Sequence, residues 1–336
     1  MFTSPAAVLF GQSVQSRAFA QLSKELAIRV ERAISRDLRE NQLVEGIVNE
    51  INRTPLLQFR DNDLGLSMET RSAFIHGNHH RQVEYKYLNG TRNAEMGDLL
   101  LNILVYFEGQ RCFEKATFVQ FKKSKGDEWK WALPTDHAVD ATDANQLYLL
   151  SRFPPLRGRT DALFQRRNFL FVPNHSECLG SYGLIHKPGD LIFISAPRLE
   201  ACASSQDATT LHSMRHLKTN AATSWSYMFG KTIPEGSILG NIQYAQNAYD
   251  LIDKYLRLSI GESVVSDNGL NNPAASNLVE HVFSYLAEKQ PKQYAELLKM
   301  RHGQRRNMNI SNIEDTVGET GKGGLGILTT RIDLSR

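Results

Sequence analysis

Cysteine is scarce in this sequence, and its distribution excludes two kinds of stabilising site. Cys112, Cys178 and Cys202 are odd in number, and no two of them form a CxxC pair. A disulfide framework and a thiolate zinc site both need an even or closely spaced set of cysteines. We therefore expect neither, and this cysteine usage is typical of a reducing, cytoplasmic environment.

Long apolar runs and an excess of charge of one sign are also missing. The longest apolar-rich stretch, residues 99–107, is interrupted by Asn102 and falls well short of the roughly 18 residues of a membrane span. No membrane association is expected. The 39 Lys and Arg nearly balance the 36 Asp and Glu, which leaves a net charge of +3 and excludes a histone-like polycation. Any contact with nucleic acid must therefore come from a local patch.

What is present suits a folded protein with a large core. The 336 residues are 41% apolar and 22% charged, which is typical of one large domain or two modest ones. Residues 1–20 lack the basic segment of a secretory signal and are interpreted as an N-terminal arm. We divide the rest into an α/β domain over 21–207, a helical extension over 208–300, and a basic, glycine-rich tail over 301–336.

Hydrophobic periodicity predicts the main elements. Leu22, Leu26, Val30, Ile34 and Leu38 recur every fourth residue, which indicates a helix over 21–53 that Glu40-Asn41 can interrupt. Two apolar runs, 99–107 and 116–123, flank a polar link that contains glycine and predict a pair of adjacent strands buried on both faces. The remaining predictions are strands at 83–87, 169–172, 191–194 and 326–333, and helices at 141–153, 238–258 and 276–300, the last broken at Pro291.

Three polar side chains around the paired strands carry the most chemistry. Alternate residues of a strand share a face, so Gln120 and Lys122 point the same way. A lysine that ends so apolar a run needs a partner or a function, because an unpaired buried ammonium is costly. Asp98 precedes the neighbouring strand, and a carboxylate beside oxygen donors and a lysine is what a Mg²⁺-dependent phosphodiesterase requires. The structural alternative is that Asp98 caps a turn and Lys122 extends its ammonium out of the sheet edge.

These residues resemble the PD-(D/E)XK nuclease superfamily, whose core is a helix followed by a small mixed sheet. Gly97-Asp98-Leu-Leu-Leu is similar to the segment with the metal-binding Asp, and Gln120-Phe121-Lys122 is similar to the QxK variant of Mrr-like restriction enzymes. The family usually adds an acidic residue on the first core helix, for which Glu40 is the first choice and Glu45 the second. Only one should face the site, because residues five apart on a helix differ in direction by about 140°.

The resemblance implies a fold, a cofactor and a role for each residue. The fold would be a restriction-endonuclease-like α/β core with the helical C-terminal extension. Asp98, Gln120 or the carbonyl beside it, and Glu40 would bind Mg²⁺ or Mn²⁺, and Lys122 would position water and stabilise charge on the phosphate. The activity would be DNA cleavage, with RNA as an open alternative, in restriction or anti-phage defence.

Basic side chains follow the proposed catalytic strand and provide the local patch. A phosphate backbone could contact this cluster, although a solvated loop is an equal alternative, and Trp129, Trp131 and Phe164 could stack bases. The residues that we assign to nucleic-acid binding are Lys123, Lys125, Arg157, Arg159, Arg166 and Arg167.

Other candidate motifs have weaker support. His76, His79 and His80 indicate a polar loop rather than a zinc site, since no Cys or carboxylate ligand stands nearby. The segment 318–326 departs from the GxxxxGK[ST] phosphate loop and is interpreted as a flexible linker. Cys178 lies near a histidine only in sequence, and a GxSxG elbow is absent.

A second hypothesis comes from a different functional class. A catalytically silent protein could keep the nuclease core as a scaffold for binding nucleic acid or for assembling a complex. The two long C-terminal helices would then contact a second copy of the chain or a partner subunit.

Overall fold

The computed structural model describes most of the chain in separate stretches. The described residues are 4–76, 82–87, 90–123, 142–159, 163–164, 167–171, 179–197, 199, 244–266, 272–291, 294–302 and 324–335.

Helices and strands alternate irregularly along these stretches. The helices are α1 Pro5–Ser13, α2 Arg17–Ile34, α3 Glu40–Ile51, α4 Thr142–Arg152, α5 Ala248–Leu256, α6 Pro273–Lys289 and α7 Ala295–His302. The strands are β1 Leu57–Asp61, β2 Leu66–His76, β3 Val83–Tyr87, β4 Gly90–Ala94, β5 Leu99–Phe107, β6 Gln110–Lys123, β7 Leu156–Gly158, β8 Asn168–Phe169, β9 Gly180–Ile185, β10 Leu191–Ser195, β11 Tyr244–Ala245, β12 Glu262–Val265 and β13 Gly324–Leu334. None of the described helices is long and apolar enough to cross a membrane.

A mixed sheet of nine strands forms the centre of the described structure. Its order is β1, β2, β13, β5, β6, β9, β10 and β11, with β12 paired to β6 beside β9. The β13–β5 and β6–β9 pairs are parallel, and the remaining neighbours are antiparallel. The expectation of an α/β protein with a mixed central sheet is confirmed at this level.

The predicted strand pair lies at the centre of this sheet. β5 and β6 are antiparallel neighbours, with Leu99 opposite Val119, and every residue of β5 except Phe107 is buried. Alternate side chains enter two separate cores, so Leu99 packs on one face and Leu100 on the other. Apolar residues on both faces are the pattern of a strand that is covered on both sides, which confirms the prediction.

Helices cover the two faces of the large sheet. α2, α3 and α5 pack on the face that includes Leu99 and Phe121. The opposite face is covered by α4, α6, α7 and a small antiparallel sheet with the order β4, β3, β7, β8. The result is a layered α/β arrangement in which α3 and α4 lie on opposite sides of the β5–β6 pair.

Several sequence predictions need correction. The interruption expected at Glu40-Asn41 within the predicted helix over 21–53 lies earlier, because residues 35–39 separate α2 from α3. β1 and β2 were missed, since their alternating polar residues leave no apolar run. The short strand at 168–169 replaces the one predicted over 169–172, of which residue 172 lies outside the described residues.

The C-terminal part also differs from the prediction. A helical extension over 208–300 is wrong for two segments, because β11 pairs with β10 and β12 pairs with β6. The helix predicted over 238–258 therefore begins only at Ala248. The end of the predicted linker is also wrong, because Gly324 and Gly326 belong to β13, which pairs with β2 on one side and β5 on the other.

Candidate active site

Asp98 lies immediately before β5, at the edge of the large sheet that is formed by the ends of its central strands. Its backbone N–H donates to the carbonyl of Val119 at 2.9 Å. The preceding Gly97 has a φ of +138°, and a Cβ there would lie 3.2 Å from the Val119 oxygen. Only glycine adopts this conformation without strain, so Gly97 lets the chain turn into β5 with Asp98 against β6.

The Asp98 carboxylate accepts two hydrogen bonds from β6. The Nε2 atom of Gln120 donates to Oδ2 at 2.6 Å, and the backbone N–H of Phe121 donates to the same oxygen at 2.7 Å. Asp98 and Gln120, which were predicted to share a site, are therefore in direct contact. These contacts do not support the alternative in which Asp98 caps a turn, because both donors belong to the neighbouring strand β6.

Gln120 is in turn contacted by α4 from the other side. The Nε2 atom of Gln146 donates to Oε1 of Gln120 and lies 3.4 Å from the carbonyl oxygen of Glu95. Both glutamines are buried, at 4% and 6% exposure. Sequence reasoning missed Gln146, because a single polar residue in a helix gives no signal of what it faces.

Lys122 and Glu40 meet at the same edge, from β6 and from the first residue of α3. Their charged groups are 3.8 Å apart, and the Lys122 side chain is 14% exposed. The backbone N–H of Lys123 also donates to Oε1 of Glu40, at 2.9 Å. Glu45 lies on the exposed side of α3, so the structure brings Glu40, the first choice, to this edge and not Glu45.

Burial and neighbouring charges set the acidity of Asp98. Burial raises the pKa of Asp98 to about 7, and the hydrogen bond from Phe121 acts in the opposite direction. Glu95 and Glu40 raise this pKa further by repulsion, whereas Lys122 lowers it. Three charged groups therefore surround Asp98. Glu95 was not singled out from the sequence, although it stands only three residues before Asp98.

The oxygen atoms around Asp98 provide some, but not all, of the ligands that a divalent cation needs. Carboxylate oxygens are the ligands that Mg²⁺ prefers, and Asp98 and Glu40 supply them at one edge. The amide oxygen of Gln120 does not fit as a third donor, because it accepts a hydrogen bond from Gln146. The described residues contain no group of three or more His, Cys, Asp or Glu that could hold a metal ion. Asp98, with Glu40 and Glu95 as neighbouring carboxylates, is the place where these residues could hold one.

The residues assigned to nucleic-acid binding separate into different places. Lys123 lies beside Glu40, and its Nζ donates to Asp37 and to the carbonyl of Leu38. Arg157 and Arg159 are exposed at β7. Arg167 is exposed. Burial lowers the pKa of His281, which lies on α6 on the covered side of the small sheet, and the charge of Arg167 lowers it further.

The remaining candidates are outside the described residues or unsuitable. Phe164 is fully buried and packs against Phe169 and His281, so the prediction that it could stack a base is wrong. Lys125, Trp129, Trp131, Arg166, His79, His80 and Cys178 lie outside the described residues.

Comparisons with known proteins give no relative for this chain. No protein-family model, no curated protein and no solved structure matches it.

Proposed function

We propose that the protein is a metal-dependent nuclease that hydrolyses phosphodiester bonds in DNA. The observation that carries the proposal is the meeting of Asp98, Glu40 and Lys122 at one edge of the sheet. They come from the start of β5, the start of α3 and the end of β6, and Lys122 lies 3.8 Å from Glu40. Two carboxylates and an ammonium group at one edge are suited to phosphoryl chemistry.

Each of these side chains has a role in the proposed reaction. Asp98 and Glu40 would hold Mg²⁺ or Mn²⁺, which when bound supplies a Lewis acid and lowers the pKa of water. The Lys122 ammonium group orients the attacking water and offsets negative charge on the phosphate. Its low exposure strengthens that attraction, because charges interact more strongly away from bulk water.

The small sheet contacts the segment before Asp98 and carries two exposed arginines. β4 leads directly into the segment before Asp98, and Gln82, just before β3, contacts that segment by accepting from the backbone N–H of Met96 at 3.0 Å. Arg159 donates its backbone N–H to the carbonyl of Gln82 at 3.2 Å. Arg157, with a side chain 60% exposed, lies two residues before Arg159. Arg157 pairs with Glu84 at 3.9 Å, and we propose that Arg159 contacts the phosphate backbone beyond the site.

The proposed setting is bacterial restriction or anti-phage defence. This part of the proposal rests on analogy with stand-alone proteins that join a nuclease-like core to a large additional region.

A cleavage assay on plasmid DNA tests the proposal. Purified wild-type protein is incubated with and without Mg²⁺ or Mn²⁺, alongside Asp98→Ala and Lys122→Ala. We expect metal-dependent cutting by the wild type and its loss in both variants. Asp253→Ala and Lys254→Ala, which change surface ion pairs of α5, are the matched controls and should cut normally. Metal-dependent cutting that survives at Asp98→Ala and Lys122→Ala overturns the site assignment.

The two glutamates of α3 give a further internal comparison. Glu40→Gln removes a carboxylate that contacts Lys122, and we expect cutting to fall at least about tenfold. Glu45→Gln makes the same chemical change on the exposed side of the same helix and should leave cutting unchanged. Equal effects of the two substitutions would contradict the role of Glu40. Single-stranded RNA in a parallel reaction separates a DNA nuclease from an RNA nuclease.

A catalytically silent nucleic-acid-binding protein is the second candidate. It is favoured by one observation, that the amide oxygen of Gln120 accepts a hydrogen bond from Gln146 and is therefore not available as a metal ligand. DNA binding without cutting by any form of the protein would support this candidate over the nuclease.

A further inference from the structure

Two backbone carbonyls fix the orientation of the glutamine amides beside Asp98. The Nε2 atom of Gln120 lies 3.3 Å from the carbonyl oxygen of its neighbour Phe121. The Nε2 atom of Gln146 lies 3.4 Å from the carbonyl oxygen of Glu95. A backbone carbonyl can only accept a hydrogen bond, so the NH₂ group, and not the amide oxygen, must face it in each case.

With both amides fixed, the direction of donation through the group is determined. Gln146 donates to Oε1 of Gln120, and Gln120 donates to Oδ2 of Asp98. The opposite orientation of Gln120 would place its oxygen against the carboxylate of Asp98. It would also place its NH₂ group against that of Gln146, which leaves buried donors without acceptors and is costly.

We propose that Gln120 and Gln146 are positioning residues that hold the Asp98 carboxylate by donating hydrogen bonds toward it, and that Gln120 is not a metal ligand. The inference rests on the proposed function, in which Asp98 binds the cation, and it changes the role that the resemblance to QxK nucleases gives to Gln120. Together with the N–H of Phe121, the Gln120 amide fixes the Oδ2 atom. The second oxygen, Oδ1, accepts no hydrogen bond from the described residues and is left for a cation.

Donor and acceptor variants of Gln146 test the direction of the hydrogen bonds. Gln146→Lys still donates to Gln120, whereas Gln146→Glu, once its carboxyl group is ionised, can only accept and forces the Gln120 amide to turn its oxygen toward Asp98. We expect cutting by Gln146→Glu to fall about 10- to 100-fold, as for other residues that orient metal ligands. Cutting by Gln146→Lys should fall only a few-fold, with Gln146→Met between the two.

The free energy of unfolding of each variant provides the structural control. Gln146→Glu and Gln146→Lys both place a charge at a buried position, so a role in packing alone predicts that the two variants lose activity and stability to the same extent. The same loss of cutting in both variants would overturn the proposal. Gln58→Glu, at an exposed position of β1 that contacts Glu69, makes the same change away from the site and should have no effect on cutting.

A spectroscopic measurement tests the amide orientation without any cleavage. In protein labelled with ¹⁵N-glutamine, the side-chain signals of Gln120 and Gln146 are assigned by their loss in Gln120→Met and Gln146→Met. We expect slow proton exchange for both NH₂ groups in the metal-free protein, and a changed Gln120 signal in Gln146→Glu. Addition of Mg²⁺ should leave the Gln120 signal in its donating state. A shift on Mg²⁺ addition toward the Gln146→Glu signal would show that Gln120 turns to bind metal, and would overturn the proposal.

The cleavage assay and the spectroscopic measurement test different claims, so either one can fail while the other succeeds. If the wild-type protein cuts no DNA but the glutamine signals behave as expected, the nuclease proposal is rejected and the positioning pair is supported. If the protein cuts DNA but Gln120 turns on addition of Mg²⁺, the nuclease stands and the positioning pair is rejected.

Discussion

The backbone N–H of Gly326 donates a hydrogen bond of 2.8 Å to the carbonyl oxygen of Asp98. The strand β13 therefore begins directly beside the candidate site, although more than 200 residues separate the two positions in the chain. A Cβ atom at Gly326 would lie 2.5 Å from Cγ1 of Val44 and 3.0 Å from Cδ1 of Leu99. The absence of a side chain thus lets α3, β13 and β5 pack closely at the edge that holds Asp98 and Glu40.

Gly326→Ala should destabilise the protein. The added methyl group must displace Val44 of α3, and overpacking of this kind costs about 1–3 kcal/mol. Urea unfolding followed by circular dichroism measures the change. Gly11→Ala is the matched control, because nothing lies within 4 Å of its Cβ position in α1. Helix propensity there favours alanine by about 1 kcal/mol, so the two substitutions should change the free energy of unfolding in opposite directions. No change in this free energy for Gly326→Ala would contradict the close packing.

Asp98→Asn should stabilise the protein above neutral pH and have little effect in acid. An unfolded aspartate ionises near pH 3.8, but burial raises the pKa of Asp98 to about 7 in the folded protein. Between these values the folded state binds the proton more tightly, so the stability of the wild type falls as the pH rises from about 4 to 7. The destabilisation by the ionised carboxylate is complete above pH 7, where Asp98→Asn is expected to raise the free energy of unfolding by about 1–3 kcal/mol.

Chemical unfolding of both proteins at pH 4 and pH 8 measures this difference. The gain from Asp98→Asn should be present at pH 8 and absent at pH 4. Asp253→Asn, on the exposed surface of α5, is the control and should show no such pH dependence. A gain of the same size at both pH values would contradict a raised pKa of Asp98.

Removal of one partner of the buried Arg301–Glu114 pair should be costly. The Arg301 side chain is 1% exposed and that of Glu114 is 0% exposed, and Nδ2 of Asn102 donates to the same Glu114 oxygen at 2.8 Å. Arg301→Met leaves the buried Glu114 carboxylate with only the partly exposed Arg111, 2.8 Å from its other oxygen, as a cationic partner, which should cost about 3–5 kcal/mol.

The double variant Arg301→Met with Glu114→Leu distinguishes coupling from simple loss of packing. Because no charge is then left buried without its partner, the double variant should be more stable than Arg301→Met alone. If the losses in unfolding free energy of Arg301→Met and of Glu114→Leu alone add up to that of the double variant, the two residues are not coupled. Arg257→Met, which breaks an exposed pair with Asp253, should change the unfolding free energy by less than about 1 kcal/mol.

Local patterns in the sequence predicted the centre of the fold. The helical period of Leu22 to Ile34 and the apolar runs of β5 and β6 gave elements that the structure confirms. Those elements are buried on a face or on both faces, so their residues follow a clear period. β1 and β2 contain charged and polar residues at alternate positions, and their pairing with β13 is a long-range contact that no local pattern contains.

The candidate site was predicted where the relevant residues lie close in sequence or in adjacent strands. Asp98, Gln120 and Lys122 belong to one strand pair, so alternation and pairing were enough to place them together. Gln146 was missed because its relation to Asp98 depends on how α4 packs on the sheet, and Glu95 was missed although it stands only three residues before Asp98. The role of Gln120 was also beyond the sequence, since the direction of a side-chain amide depends on which acceptors face it.

The position of β13 has a consequence for the order in which the molecule is assembled during synthesis. β2 and β5 are made early, but the strand that lies between them ends at residue 334. Until that strand leaves the ribosome, each exposes an unpaired edge, and such edges are prone to misassociation. The pairing of β13 with β2 and β5, which places Gly326 beside Asp98, therefore forms only after residue 334 has been synthesised.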